Sequence, residues 1–189
     1  MRRNLGWVVA CGVVLAGMGC ESTQTVKTET STPLFGNLGS HHRAITTTSP
    51  MAQKYFDQGL TLAFSFNHDE AIRSFKEAAR LDPECPMAWW GIALCNGPHI
   101  NNPAMDEAHS KAAWEALQQA KALWTKGNAS ERQLINALGA RYADPAKGPL
   151  PLSPQERAPY DQAYAKEMKD LDTVFYDDAD IATLYAEAM

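Results

Sequence analysis

The stretch "NHDEAIRSFKEAARLDPECPMAWWGIAL", residues 67–94, decides how the whole chain is read. Small and aromatic residues recur in it at helical intervals, and Pro83 and Pro86 punctuate it. Asn67 or Asp69 can cap a helix running to about Leu81. Asp69 and Glu70 suit its first turn, where carboxylates face the positive end of the helix dipole. The two prolines then separate it from a further helix that begins near Met87. Upstream, the same periodicity predicts a helix from about Met51 to Phe64. Helix, short turn, helix, proline, helix is the rhythm of an all-α solenoid of antiparallel helix pairs.

On these residues the chain resembles a known family. Ala52 to Cys85 is similar to one tetratricopeptide repeat of about 34 residues. The signature positions fall on Tyr55, Gln58, Gly59, Leu62, Ala71, Phe75, Ala78 and Pro83; Gln58 is the departure, since Leu is usual there. Gly59 and Ala71 are small where two helices cross closely, and Phe75 fills the space between a repeat and its neighbour. Ala78 lets the next helix approach, and Pro83 ends the second helix and sets the turn. In the following helix Trp89, Ile92 and Ala93 continue the register, and Gly97-Pro98 stop it. The partner helix comes late, with Ala113, Leu117 and Ala120 at the right spacing after an insertion near 97–104. A third unit begins in "ERQLINALGARY", where Ser130 and Gln133 resemble a capping box. The proline-rich stretch 144–159 reads as a loop, followed by helices from Tyr160 to about Phe175 and from Asp180.

The resemblance implies a concave groove that binds peptides. Its lining falls on Gln53, Phe56, Leu60 and Ala63 in the first repeat, and on Met87, Trp90 and Leu94 in the second. Members that bind chaperone tails clamp a carboxylate there with lysines and asparagines. Phe56 and Leu60 stand here instead and favour an amphipathic helix or an apolar peptide. The alternative is that a neighbouring helix or the N-terminal segment covers these side chains. Met189 interrupts a helical pattern without a closing polar unit, so the domain over 51–189 is expected to be a truncated version of a longer repeat protein.

The start of the chain is a different object. Arg2 and Arg3 precede about fourteen mostly apolar residues that end at Gly19-Cys20, too short for a membrane span and suited to a signal peptide. Gly-Cys after such a run resembles the lipobox of bacterial lipoproteins, although Gly17 stands where Leu is preferred. The resemblance implies lipidation at Cys20 and a place in the bacterial envelope, facing the periplasm; ordinary secretion with cleavage nearby is the rival. Residues 21–50 are rich in Ser and Thr and read as a flexible tether, packing only slightly through Leu34, Phe35 and Leu38.

Composition and motifs exclude several classes. The 189 residues are 45% hydrophobic and 21% charged with net charge −5, so no nucleic-acid partner is expected, and the motif content gives no reason to expect a cofactor. No G-x-S-x-G, H-E-x-x-H, P-loop, G-x-G-x-x-G or C-x-x-C-H occurs. His41, His42, His68, His99 and His109 are scattered, so no metal site is expected and "HDE" at 68–70 reads as a helix start. "YDDAD" at 176–180 lacks the spacing of a calcium loop and reads as a cap for the next helix. Of Trp89, Trp90, Trp114 and Trp124, at least two are expected in the core. Cys85 and Cys95 would stand about 15 Å apart across a helix, against the roughly 7 Å limit of a disulfide, and are expected as buried thiols. The reading is therefore a binding scaffold whose partner is a protein or peptide, with an envelope enzyme or metal-binding protein as the alternative.

Overall fold

The computed structural model describes residues 32–189. The signal-like run, the lipidation candidate Cys20 and the first part of the tether lie outside the described residues. The described chain is all-helical: α1 (Pro50–Phe64), α2 (His68–Leu81), α3 (Pro86–Cys95), α4 (Glu107–Ala122), α5 (Ala129–Gly139), α6 (Pro154–Val174) and α7 (Ala179–Ala188), with one 3₁₀ turn at Trp124–Lys126. No helix among the described residues is long and apolar enough to cross a membrane.

Sequence-neighbouring helices pack together, α1 on α2, α3 on α4, α5 on α6 and α6 on α7, and α3 touches α1, α2, α4 and α5. The sequence of α3, "PMAWWGIALC", carries no charge on any side, which is what a helix enclosed all round requires. Phe75 of α2 joins the first three helices. Its ring packs against Phe56 at 5.4 Å between centroids. A Cβ built at Gly59 would lie 2.7 Å from that ring, and one at Gly91 2.6 Å. Both glycines are therefore fixed by contact with Phe75, one on α1 and one on α3. Tyr55, Ala71, Phe75 and Ala78 are all buried.

Local signals explain most of the helix boundaries. Ser49 caps α1 through the amide of Ala52 at 3.2 Å. α1 closes with the bond pair of a Schellman motif, Asn67 N–H to Leu62 O and Phe66 N–H to Ala63 O. The left-handed position at its end is Phe66, φ 60°, where glycine is the usual residue. Asn67 stands at the N-cap of α2 without a side-chain bond, and Asp69 and Glu70 occupy the first turn. The capping box of α5 pairs Asn128 with Glu131, two residues upstream of the expected Ser130 and Gln133. α6 begins at Pro154, not Tyr160: Ser153 and Glu156 form a second box, Pro154 fits the first helical position, and Pro159 is accommodated inside the helix. Asp178 caps α7 through the amides of Asp180 and Ile181, as the acidic junction suggested.

The largest correction concerns the tether. Residues 32–49 are laid against the helices by directed hydrogen bonds, and Arg43 and Ile45 are buried. Their polar side chains and backbone make the attachment, which a search for apolar residues misses. Cys85 and Cys95 are buried free thiols, and burial pushes the Cys85 pKa up to about 11 and that of Cys95 higher still. Trp90 is enclosed, Trp89 and Trp114 pack on the edge of the core, and Trp124 is exposed.

Alanine for glycine inside a helix ordinarily stabilises by up to about 1 kcal/mol. Gly91→Ala should do the reverse here, costing about 1–3 kcal/mol through overpacking against Phe75. A smaller ring-free partner in Gly91→Ala, Phe75→Leu should recover part of that loss. Urea unfolding of the three proteins checks the sign.

Candidate functional site

The site is built around α1 and the strap formed by residues 32–49. Two glutamines of α1 each hold an extended stretch of backbone in the same way. Gln53 Nε2 donates to Arg43 O at 2.8 Å, while its Oε1 accepts the Ile45 N–H at 3.0 Å. Gln58 Nε2 donates to Pro33 O at 2.9 Å, while its Oε1 accepts the Phe35 N–H at 2.8 Å. A side-chain amide carries the same donor and acceptor as a peptide group, so each glutamine substitutes for a neighbouring strand. Gln58, the departure from the repeat signature, thus has a specific role, and its Nε2 also reaches Ser74 Oγ at 3.0 Å. Tyr55 Oη secures the start of the strap by donating to Thr32 O at 2.7 Å.

Beyond Gln53 the partners of the strap are carboxylates. Asp57 accepts the Arg43 N–H and faces His42 Nδ1 at 2.8 Å. Glu131, almost fully enclosed, accepts the Thr46 N–H at 2.6 Å with one oxygen and the Asn128 N–H at 2.8 Å with the other. Asp82 takes Thr47 Oγ1 at 2.5 Å and the Thr48 N–H at 3.2 Å. At the far side Arg43 Nη1 donates to both oxygens of Asp178, at 2.8 and 2.9 Å, and to Asp180 at 3.2 Å. His41 Nε2 stands 3.1 Å from the other oxygen of Asp180. Burial draws the Arg43 pKa down, but hydrogen bonds and charge from Asp178 and Asp180 outweigh it, and the net shift is upward. Burial likewise raises Asp178, and Arg43 with the Ile181 amide more than reverses this, leaving its carboxyl below the ordinary range.

The residues expected to line an open apolar groove lie mostly in the core. Phe56, Leu60, Met87 and Trp90 are closed to solvent and Ala63 nearly so; Gln53 and Leu94 are partly exposed. Phe56 faces Phe75, and Trp90 Nε1 donates to Leu134 O at 3.3 Å, so α5 covers it. Gln53 is the one among them that holds the strap. The polar surface around it was not visible as a pattern, because its carboxylates come from α1, the end of α2, α5 and the start of α7.

No protein-family model, curated protein or solved structure matches the chain.

A second feature unites residues that are far apart in sequence. His68 at the start of α2 and His99 in the loop after α3 stack at 4.2 Å between ring centroids, with the Phe66 ring 6.2 Å from each. They border a cleft of about 330 Å³ that also touches Asn96, Asn102, Asp106 and His109. His99 Nδ1 is buried without a hydrogen-bond partner. Among the described residues no group of three or more His, Cys, Asp or Glu is arranged to hold a metal ion. Burial lowers the pKa of His68, helped by His99 and opposed by Asp69. Burial also lowers that of His99, with Arg141 acting in the same direction and Glu187 against it.

Both imidazoles thus resist protonation in the folded state. Their contribution to stability is full above the ordinary histidine value of 6.5 and declines as pH falls from there toward the depressed folded values. Asp178 acts in a lower window, from its ordinary 3.8 downward. Urea unfolding at about pH 7.5 and about pH 5.5 should therefore show acid destabilisation that His99→Gln reduces.

Proposed function

We propose that this chain is an envelope-anchored, tetratricopeptide-type solenoid scaffold that holds an extended peptide segment of another protein, with no chemistry of its own. The observation that supports this reading is the grip of Gln53 on a backbone C=O and on the N–H two residues further along. Main-chain bonds of this kind give affinity for an extended segment, and neighbouring side chains supply the selectivity. In this structure the surface is occupied by the chain's own strap. The resemblance of Ala52–Cys85 to a repeat supports the scaffold, and the pattern of residues 1–20 supports export and anchoring at Cys20.

A photo-reactive residue at Lys54, exposed beside the strap and Asp57, tests the reading in cells. Crosslinking to a second protein that weakens at least about tenfold in a Gln53→Ala chain is the expected result. Crosslinks confined to residues 32–49 of the same chain would sink the proposal. Labelled fatty acid should mark the wild type and not Cys20→Ala.

A second reading, an envelope enzyme or metal-binding protein, is favoured by the stacked His68 and His99 beside their cleft. Stoichiometric zinc binding by calorimetry, lost in His99→Ala, would support it over the first.

A further inference from the structure

Resting on that peptide-binding reading, we infer that the partner is a basic extended peptide with an arginine in the position of Arg43, and that residues 41–49 are its internal competitor. The charge pattern carries this. Residues 32–49 contain no Asp or Glu, and Arg43 is their one Lys or Arg. The surface beneath them is acidic: Asp57, Asp82, Glu131, Asp178 and Asp180 each bond to the strap. Lys54 is the basic residue on its border.

The most demanding position is that of the guanidinium. Asp178 and Asp180 lie close enough for one nitrogen to reach both, and Arg43 is only 9% exposed there. Two carboxylates so close require a cation between them, and burial strengthens the requirement. The guanidinium of Arg43 meets it through a single nitrogen, Nη1, and keeps its charge at any ordinary pH even when buried. A ligand without that charge would leave Asp180 without its cation and Asp178 with only the amides at the start of α7. Gln53 and Asp57 then read the backbone on either side of the arginine through its own N–H, its C=O and the N–H two residues on.

The strap is built to leave. Ile45 is its one buried apolar side chain between His41 and Ser49, while Ala44, Thr46 and Thr48 face solvent. Its attachment is therefore mostly polar and replaceable by a chain of the same chemistry. Because it is tethered, it competes at an effective concentration in roughly the millimolar range, which sets the affinity a partner must exceed. The arrangement makes the scaffold selective: a weak or uncharged peptide does not displace the strap.

The experiment uses the full chain and a fluorescent peptide, HHRAITTTSP, which copies residues 41–50. Anisotropy gives its affinity for the wild type and for Arg43→Ala, and amide hydrogen exchange follows residues 44–48 of the chain. The expected result is faster exchange of these amides in Arg43→Ala and peptide binding at least about tenfold tighter than by the wild type. An otherwise identical peptide with alanine for its arginine should bind about tenfold more weakly or worse, and Asp180→Asn should reduce that preference. Equal binding of the two peptides overturns the arginine inference while the peptide-binding reading stands. No binding by either peptide, although the strap exchanges quickly, removes both. Unchanged exchange in Arg43→Ala shows that Arg43 is not the fastening and overturns the competitor. The wild type alone supplies a control independent of folding defects: millimolar HHRAITTTSP should accelerate exchange at residues 44–48, and no acceleration counts against displacement.

Discussion

The aromatic ring of Phe75, held between Gly59 of α1 and Gly91 of α3, is the constraint on which the arrangement of the first three helices depends. No side chain fits at either glycine while the ring is there, so the helix axes can approach only as closely as backbone and ring permit. This one contact decides the crossing of α1 with α2 and the seating of α3 beside both. α3 in turn touches α4 and α5, and Trp90 carries the contact to α5 through Leu134. Packing errors at Phe75 would therefore reach the far side of the molecule through close-packed neighbours.

The strap solves a different problem. The face it covers has carboxylates from four parts of the chain, and like charges held near one another oppose folding. Arg43 and the amides of the strap neutralise or hydrogen-bond them one by one. Glu131 shows the economy of the arrangement, since one carboxylate closes the capping box of α5 and also fastens Thr46. The segment that reads as a polar linker is thus the counter-surface of an acidic face. Its low apolar content is consistent with that role.

The helices were legible because period and punctuation are local. Asn67, Pro83, Pro86 and Gly97 mark boundaries within a few residues of where they fall, and Phe75 and Gly59 betray their packing by type and spacing. Gly91 was not legible, because a glycine in an apolar helix has no mark that separates close contact from chance. The start of α6 was obscured by prolines, which signal a loop unless the Ser153–Glu156 box outweighs them. The candidate site was nearly invisible. Gln58 stood out as a departure, but its purpose depends on Pro33 and Phe35, whose arrival no spacing rule announces. His68 and His99 meet only because α2 and the loop after α3 share one end of the helices.

Two fastenings of the strap are also helix caps. Glu131 serves the first turn of α5, and Asp178 serves the first turn of α7. Were the strap to lift, each carboxylate would keep its helix but lose a second donor, and Asp178 would also lose its cation. Both helix starts would then be freer to fray until a segment of the same chemistry supplied those donors again. Departure of a surface segment would in this way be felt at two separate helices without any lever or hinge, as a change in how firmly their first turns are wound.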